Sequence, residues 1–222
     1  MLEEFGKSQE LINSNSPERM QEIEQYIQDY FKKYKVGYEK SGEGSTQGTK
    51  MAESFWKGLK NYSNEKMRKV LEEKLIGKTL VDLGSGADGR NRPAYNNLLP
   101  FKKYLAVDID KPYANAEYAV EDMIKQGVDA SNITEDMLRY VANLPDKSSN
   151  FFLSAIDNDV VLDDKYWQYL AEEIYRVTED HGIVIDGGMT GLNRLLDKKK
   201  FKIIYQGEGF GNSDKRVFEK IT

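Results

Sequence analysis

At 222 residues, with no cysteine and a single histidine, the chain excludes disulfides, thiolate metal sites, a cysteine nucleophile and a multi-histidine metal centre. A formal net charge of −5 argues against a dedicated nucleic-acid binder, because neutralising phosphate needs a basic surface. Apolar residues at 39% and charged residues at 31% suit a globular protein, and neither a membrane-length apolar run nor a secretory leader is present, so the expectation is a cytoplasmic protein acting on a small molecule, with no membrane partner.

Residues 17–34 form the first predicted helix, with Ser16 as its cap, Pro17 in its first turn and Met20, Ile23, Ile27, Tyr30, Phe31 and Tyr34 on one stripe. A glycine-rich loop, 37–49, leads to helical segments at 50–60 and 64–76, the second stopped by Gly77. From Lys78 onward short apolar strands alternate with helices. Strands are expected at 79–83 and 103–109, with a turn and a helix near 91–99 between them. A helix over 112–126 is closed by Gly127. ASNIT (130–134) is a strand poor in β-formers, and NFFLSAI (150–156) is a clear one. The segment 163–180 is a helix with Ile174 and Val177 on its inner face, followed by a strand in HGIVIDGG (181–188). Near-continuous apolar runs separated by helices describe a parallel sheet covered on both faces. After a short helix near 192–199, segments 201–210 and 215–222 flank Gly-Asn-Ser-Asp and predict a closing antiparallel hairpin. Lys198, Lys199, Lys200 and Lys202 form a local basic run, most simply a solvated helix end.

The chemistry is concentrated in TLVDLGSGADGR, Thr79 to Arg90. Gly84, Gly86 and Gly89 satisfy G-x-G-x-x-G between a strand and a helix, where glycines let backbone N–H groups approach a ligand closely. Asp82 stands two residues before Gly84. A carboxylate there would repel a pyrophosphate but would favour a ligand carrying an ammonium and a sulfonium. Asp108, at the end of the next strand, can accept hydrogen bonds from both hydroxyls of a ribose.

This segment resembles the cofactor turn of the class I S-adenosylmethionine-dependent methyltransferases, and the resemblance extends over residues 78–222. It implies a Rossmann-like α/β fold with a mostly parallel seven-stranded sheet, the C-terminal antiparallel hairpin, and S-adenosylmethionine as cofactor. Residues 1–77 have no counterpart in it and are expected to form a helical extension or lid, with Tyr38, Ser45, Thr46, Phe55 and Trp56 as candidate lining residues or, for the last two, plain packing. The implied cofactor contacts are Asp82, Gly84, Ser85, Gly86, Asp108, Ile109 against adenine, Asp136 at the adenine amino group, and Met137. Asp110 is expected to be exposed or a cap. Asp122, Asp129 and Asn143 rival Asp136, and Asn132 with Glu135 could equally form a capping box there.

The acceptor should lie past NFFLSAI, making Asp157 and Asp159 candidate catalytic groups, with helix capping as the alternative for Asp159 and Asp163. His181 precedes a strand and so belongs to the opposite end of the sheet. Neither an Asn-Pro-Pro-Tyr signature nor a Pro-Cys nucleophile is present, which argues against a base-methylating enzyme. The leading expectation is methyl transfer to an oxygen or nitrogen of a small molecule. A non-catalytic S-adenosylmethionine-binding module, an NAD(P) oxidoreductase and an RNA or protein methyltransferase stay open.

Overall fold

The structure, a computed structural model, describes residues 16–33, 65–86, 101–153, 156, 162–188, 192, 196, 198–208 and 214–222. Helix α1 spans Pro17–Lys33 and α2 spans Glu65–Leu75. The remaining elements are β1 (Thr79–Leu83), β2 (Lys103–Asp108), α3 (Ala114–Lys125), β3 (Asp129–Thr134), α4 (Met137–Ala142), β4 (Asn150–Leu153), α5 (Asp164–Val177), β5 (Ile183–Asp186), β6 (Phe201–Glu208) and β7 (Asp214–Lys220). The sheet has seven strands in the order β3-β2-β1-β4-β5-β7-β6. β1 pairs in parallel with β2 and β4, β2 with β3, and β4 with β5. Only β7 runs against its neighbours, pairing antiparallel with both β5 and β6. This is the Rossmann-like class I methyltransferase fold that the sequence predicts, and the parallel order reverses between β1 and β4.

Strand alternation splits the core in two. Val81, Leu83, Leu105, Val107, Phe151 and Leu153 face one layer, where Ile23 and Ile27 of α1 meet Leu138 of α4 and Leu170 and Ile174 of α5. Leu80, Tyr104, Ala106, Phe152 and Ile185 face the other layer, against Met67 and Leu71 of α2 and Met123 of α3. The stripe on α1 is therefore buried in the same core as the sheet. Its polar edge is tied down as well: Arg139 donates from Nε and Nη2 to Glu24 at 2.7 and 2.9 Å.

Boundary signals in the sequence are largely met. Ser16 accepts from Arg19 N–H at 3.2 Å, Asp163 caps α5 through Tyr166 N–H at 2.9 Å, and Gly77 and Gly127 take φ of +70° and +87°. Several elements are shorter than their apolar runs. β4 stops at Leu153, and β5 begins only after His181, which turns the chain at φ +57°. ASNIT forms β3 despite its composition, because its N–H and C=O groups complete the ladder along β2. The predicted helices at 50–60 and 91–99 and the lining candidates Tyr38, Ser45, Thr46, Phe55 and Trp56 lie outside the described residues. So do 193–195 and 197 of the segment 192–199, where Leu196 N–H still reaches Leu192 C=O at 3.0 Å. Among the described residues no helix is long and apolar enough to cross a membrane.

Candidate functional site

At the carboxyl end of β1 the chain turns back over β2. Gly84 and Gly86 adopt φ of +67° and +76°, conformations that cost an L-residue roughly 1–2 kcal/mol and glycine nothing. Gly84 is also closely covered, since a Cβ there would sit 3.0 Å from Ile156 Cγ1. The N–H groups of Gly84 and Ser85 both donate to Val107 C=O, at 2.9 and 3.1 Å, and Gly86 N–H donates to Asp108 Oδ2 at 2.8 Å. Here the structure departs from the expectation that these N–H groups face a ligand: β2 takes all three. The physical consequence is that these three donors are already engaged and do not form an anion cradle of the kind a pyrophosphate requires. Between the glycines, Ser85 is 3% exposed and its Oγ has no hydrogen-bond partner. A buried hydroxyl without a partner costs free energy, so Ser85 Oγ is a polar atom that a bound group could satisfy.

Asp108, half-buried at the end of β2, accepts from Gly86 N–H and, through Oδ1, from Asp110 N–H at 3.0 Å. Both bonds come from backbone dipoles, which orient the carboxylate. Ile109 follows and is half-buried, as is Asp110. Asp82 is 2% exposed within β1, and its carboxylate accepts the Tyr104 hydroxyl of β2.

Asp136 lies just beyond β3 and starts α4. It is 4% exposed, and its Oδ1 accepts Arg139 N–H at 3.0 Å while Oδ2 accepts the Tyr166 hydroxyl at 2.7 Å. Burial pushes its carboxyl above the ordinary 3.8, against the pull of those two donors. Its rivals fall elsewhere. Asp122 is exposed on α3 and bonded to Gln126; Asp129 is at the start of β3, the opposite end of the sheet; Asn143 caps the end of α4. Asn132 lies within β3 and reaches Ala116 C=O, so the helix cap is Asp136 and not Asn132. Met137, half-buried, packs against the core beside it. Asp157 and Asp159 lie outside the described residues, although Ile156 between β4 and α5 is placed against Gly84. His181 is at the amino end of β5, bonded to Thr222 at 3.3 Å and far in topology from the turn. Among the described residues no group of three metal-ligating side chains forms.

The carboxyl ends of β1, β2 and β3 thus bring together the glycine turn, Asp108 and Asp136, beside the point where the strand order reverses. Tyr166 and Tyr104 escaped sequence reading, because a tyrosine in an amphipathic helix or an apolar strand carries no signal beyond core packing.

No family profile matches the sequence, and no curated protein matches it. Solved structures do resemble it. The chain aligns with yhhF of Escherichia coli, a candidate methyltransferase, at 10% identity over 72% of this chain and 85% of that one, with a TM-score of 0.50. The pyocyanin biosynthetic protein PhzM aligns at 15% identity over 85% and 71%, also at 0.50. A candidate S-adenosylmethionine-dependent methyltransferase from Streptococcus mutans aligns at 12% identity over 69% of this chain but only 47% of that one, at 0.50. At such identities the likeness is one of fold, and it agrees with the strand order seen here.

Proposed function

We propose that the chain binds S-adenosylmethionine at the carboxyl ends of β1–β3 and transfers its methyl group to an oxygen or nitrogen of a small molecule. The observation that carries this reading is the buried, unpartnered Ser85 hydroxyl between two positive-φ glycines, beside the Asp108 carboxylate. The residues present fit the cofactor. Asp108 would take the ribose hydroxyls, Ser85 and the glycine turn would lie along the amino-acid portion, and Asp136 with Ile109 and Met137 would hold the adenine. The cofactor supplies an electrophilic methyl on a sulfonium, and acidic groups at this end favour that cation. The protein contributes alignment of acceptor and methyl, which can supply much of the rate without a strong base. Asp157 and Asp159, following β4, are the groups proposed to orient the acceptor or take its proton.

The neighbouring readings are weaker on this geometry. A dinucleotide site needs free N–H groups at the turn, and the three described ones are engaged. An RNA path would use Lys198–Lys202, yet Lys198, Lys199 and Lys200 precede β6 and Lys202 is its second residue, at the amino end of the sheet. There Lys202 pairs with Glu219 at 3.3 Å, and the Lys200 ammonium lies 4.7 Å from the centre of the Tyr175 ring. Calorimetry with S-adenosylhomocysteine tests the cofactor: saturable binding is expected, and none at millimolar ligand, or tighter binding of NAD, overturns it. Transfer of labelled methyl across a panel of small hydroxyl and amine acceptors, with RNA and protein as comparison arms, tests the activity. Binding with no turnover on any of them would favour a non-catalytic module.

A further inference from the structure

We infer that the Tyr166 hydroxyl is a positioning group for the base of the bound nucleoside, holding the Asp136 carboxylate as a pure acceptor that selects a 6-amino over a 6-oxo purine. This rests on the cofactor reading above and adds to it a residue from a different helix.

The hydrogen-bond directions are determined by chemistry. Leu138 N–H can only donate, and it donates to Tyr166 Oη at 3.2 Å. The single hydroxyl proton is therefore free to go to Asp136 Oδ2, 2.7 Å away. Asp136 Oδ1 is meanwhile occupied by Arg139 N–H. A helix cap needs only that one bond. The second, from a tyrosine on α5, is surplus to capping and orients the other oxygen. With its proton donors supplied from outside, the carboxylate presents lone pairs only, which suits an amino group and repels a carbonyl.

The tyrosine is itself held. It is 1% exposed, with the Tyr30 and Tyr26 rings of α1 centred 5.5 and 6.4 Å away, and Tyr26 bonds to Asp163, the cap of α5, at 2.5 Å. A phenylalanine would fill the same space, so the hydroxyl is there for its two bonds. Burial already pushes the Asp136 carboxyl up, and the Tyr166 bond counters that push. The charged groups that bear on it are Arg139 of α4 and the adjoining Glu135, and Arg139 is itself paired with Glu24 of α1. Removing the hydroxyl moves protonation of Asp136 toward neutral pH, and a protonated carboxyl can donate to a 6-oxo group.

The test is calorimetry on the full chain with S-adenosylhomocysteine and S-inosylhomocysteine, at about pH 6 and about pH 8, for wild type, Tyr166→Phe and Asp136→Asn. Wild type is expected to bind the adenosyl compound with little pH dependence and to reject the inosyl one. Tyr166→Phe should lose several-fold more adenosyl affinity than wild type between the higher and lower pH, and gain inosyl affinity at the lower, since loss of the donor favours the protonated carboxyl. Asp136→Asn keeps a capping oxygen but offers an amide donor, so its preference should shrink at both pH values without a pH slope. A Tyr166→Phe loss equal at both pH values with unchanged selectivity makes Tyr166 a packing residue and overturns the inference while leaving the cofactor reading intact. If Tyr166→Phe does not fold, unchanged selectivity in Asp136→Asn overturns it equally. Failure of wild type to bind S-adenosylhomocysteine overturns both.

Discussion

The two ends of the sheet treat their carboxylates differently. At the amino end, Glu219 meets Lys74 at 3.1 Å and Lys202 at 3.3 Å, Glu179 meets Lys78 at 2.7 Å, and Asp180 meets Lys147 at 2.9 Å. Buried Arg176 spreads over Glu173, Asp146 and the carbonyls of Val141, Ala142 and Leu144, closing the end of α4. At the carboxyl end, Asp108 and Asp136 are held by backbone N–H groups and a tyrosine hydroxyl. The described contacts thus hold the first set mainly through full charges and the second mainly through dipoles.

That contrast can be broken by mutation. Arg176→Ala should be the most damaging change, costing about 3 kcal/mol of unfolding free energy by denaturant titration, because it leaves buried Glu173 with only the longer contact to Arg19 and uncaps α4. Affinity for S-adenosylhomocysteine in the folded fraction should not move. If it does, the ends are not separable. Asp108→Ala should do the reverse: affinity about 100-fold lower by calorimetry, corresponding to about 2.7 kcal/mol, with little change in stability. Gly84→Val should cost about 1–2 kcal/mol from its positive φ and its contact with Ile156, and it should weaken binding too, since the turn serves both fold and site.

The smallest effect belongs to Lys202→Ala, below about 1 kcal/mol, because the lysine is exposed. Its pH dependence has a definite sign. Burial raises the Glu219 carboxyl, but Lys74 and Lys202 outweigh it and hold the group below its ordinary 4.5. A depressed carboxyl stabilises the fold above its unfolded value and loses that contribution as pH falls through the folded one. Acid titration of the melting temperature should therefore show a shallower decline below about pH 4.5 in Lys202→Ala than in wild type.

Asp136 has the opposite sign. Burial raises its carboxyl, so its ionised form costs stability at neutral pH, and Asp136→Asn should melt no lower than wild type there.

Much of this was legible from residues. The near-continuous apolar runs TLVDL and KYLAVD, the helices between strands and the glycine stops at 77 and 127 specified the α/β alternation, because those signals are local and each is enforced by backbone geometry. Asp108 was legible because it ends a strand whose neighbour carries the glycine turn. The acid beyond β3 was less so: ASNIT lacks strand formers, and only its ladder with β2 shows that Asn132 is in the strand and Asp136 begins the helix. That Ile23 and Ile27 of α1 join the sheet's own core could not be read from an amphipathic stripe, which says that a face is buried but not against what.

By itself the sequence determined the class of fold, the turn and the carboxylate at the end of β2, since chain-local rules govern strand, helix and positive-φ glycine. Only the tertiary structure decided where the turn's N–H groups go and which acid is buried, and it alone placed the Tyr166 hydroxyl on Asp136. Those outcomes depend on contacts between residues far apart in the chain, and hydrogen-bond direction is settled only where donors and acceptors meet in space.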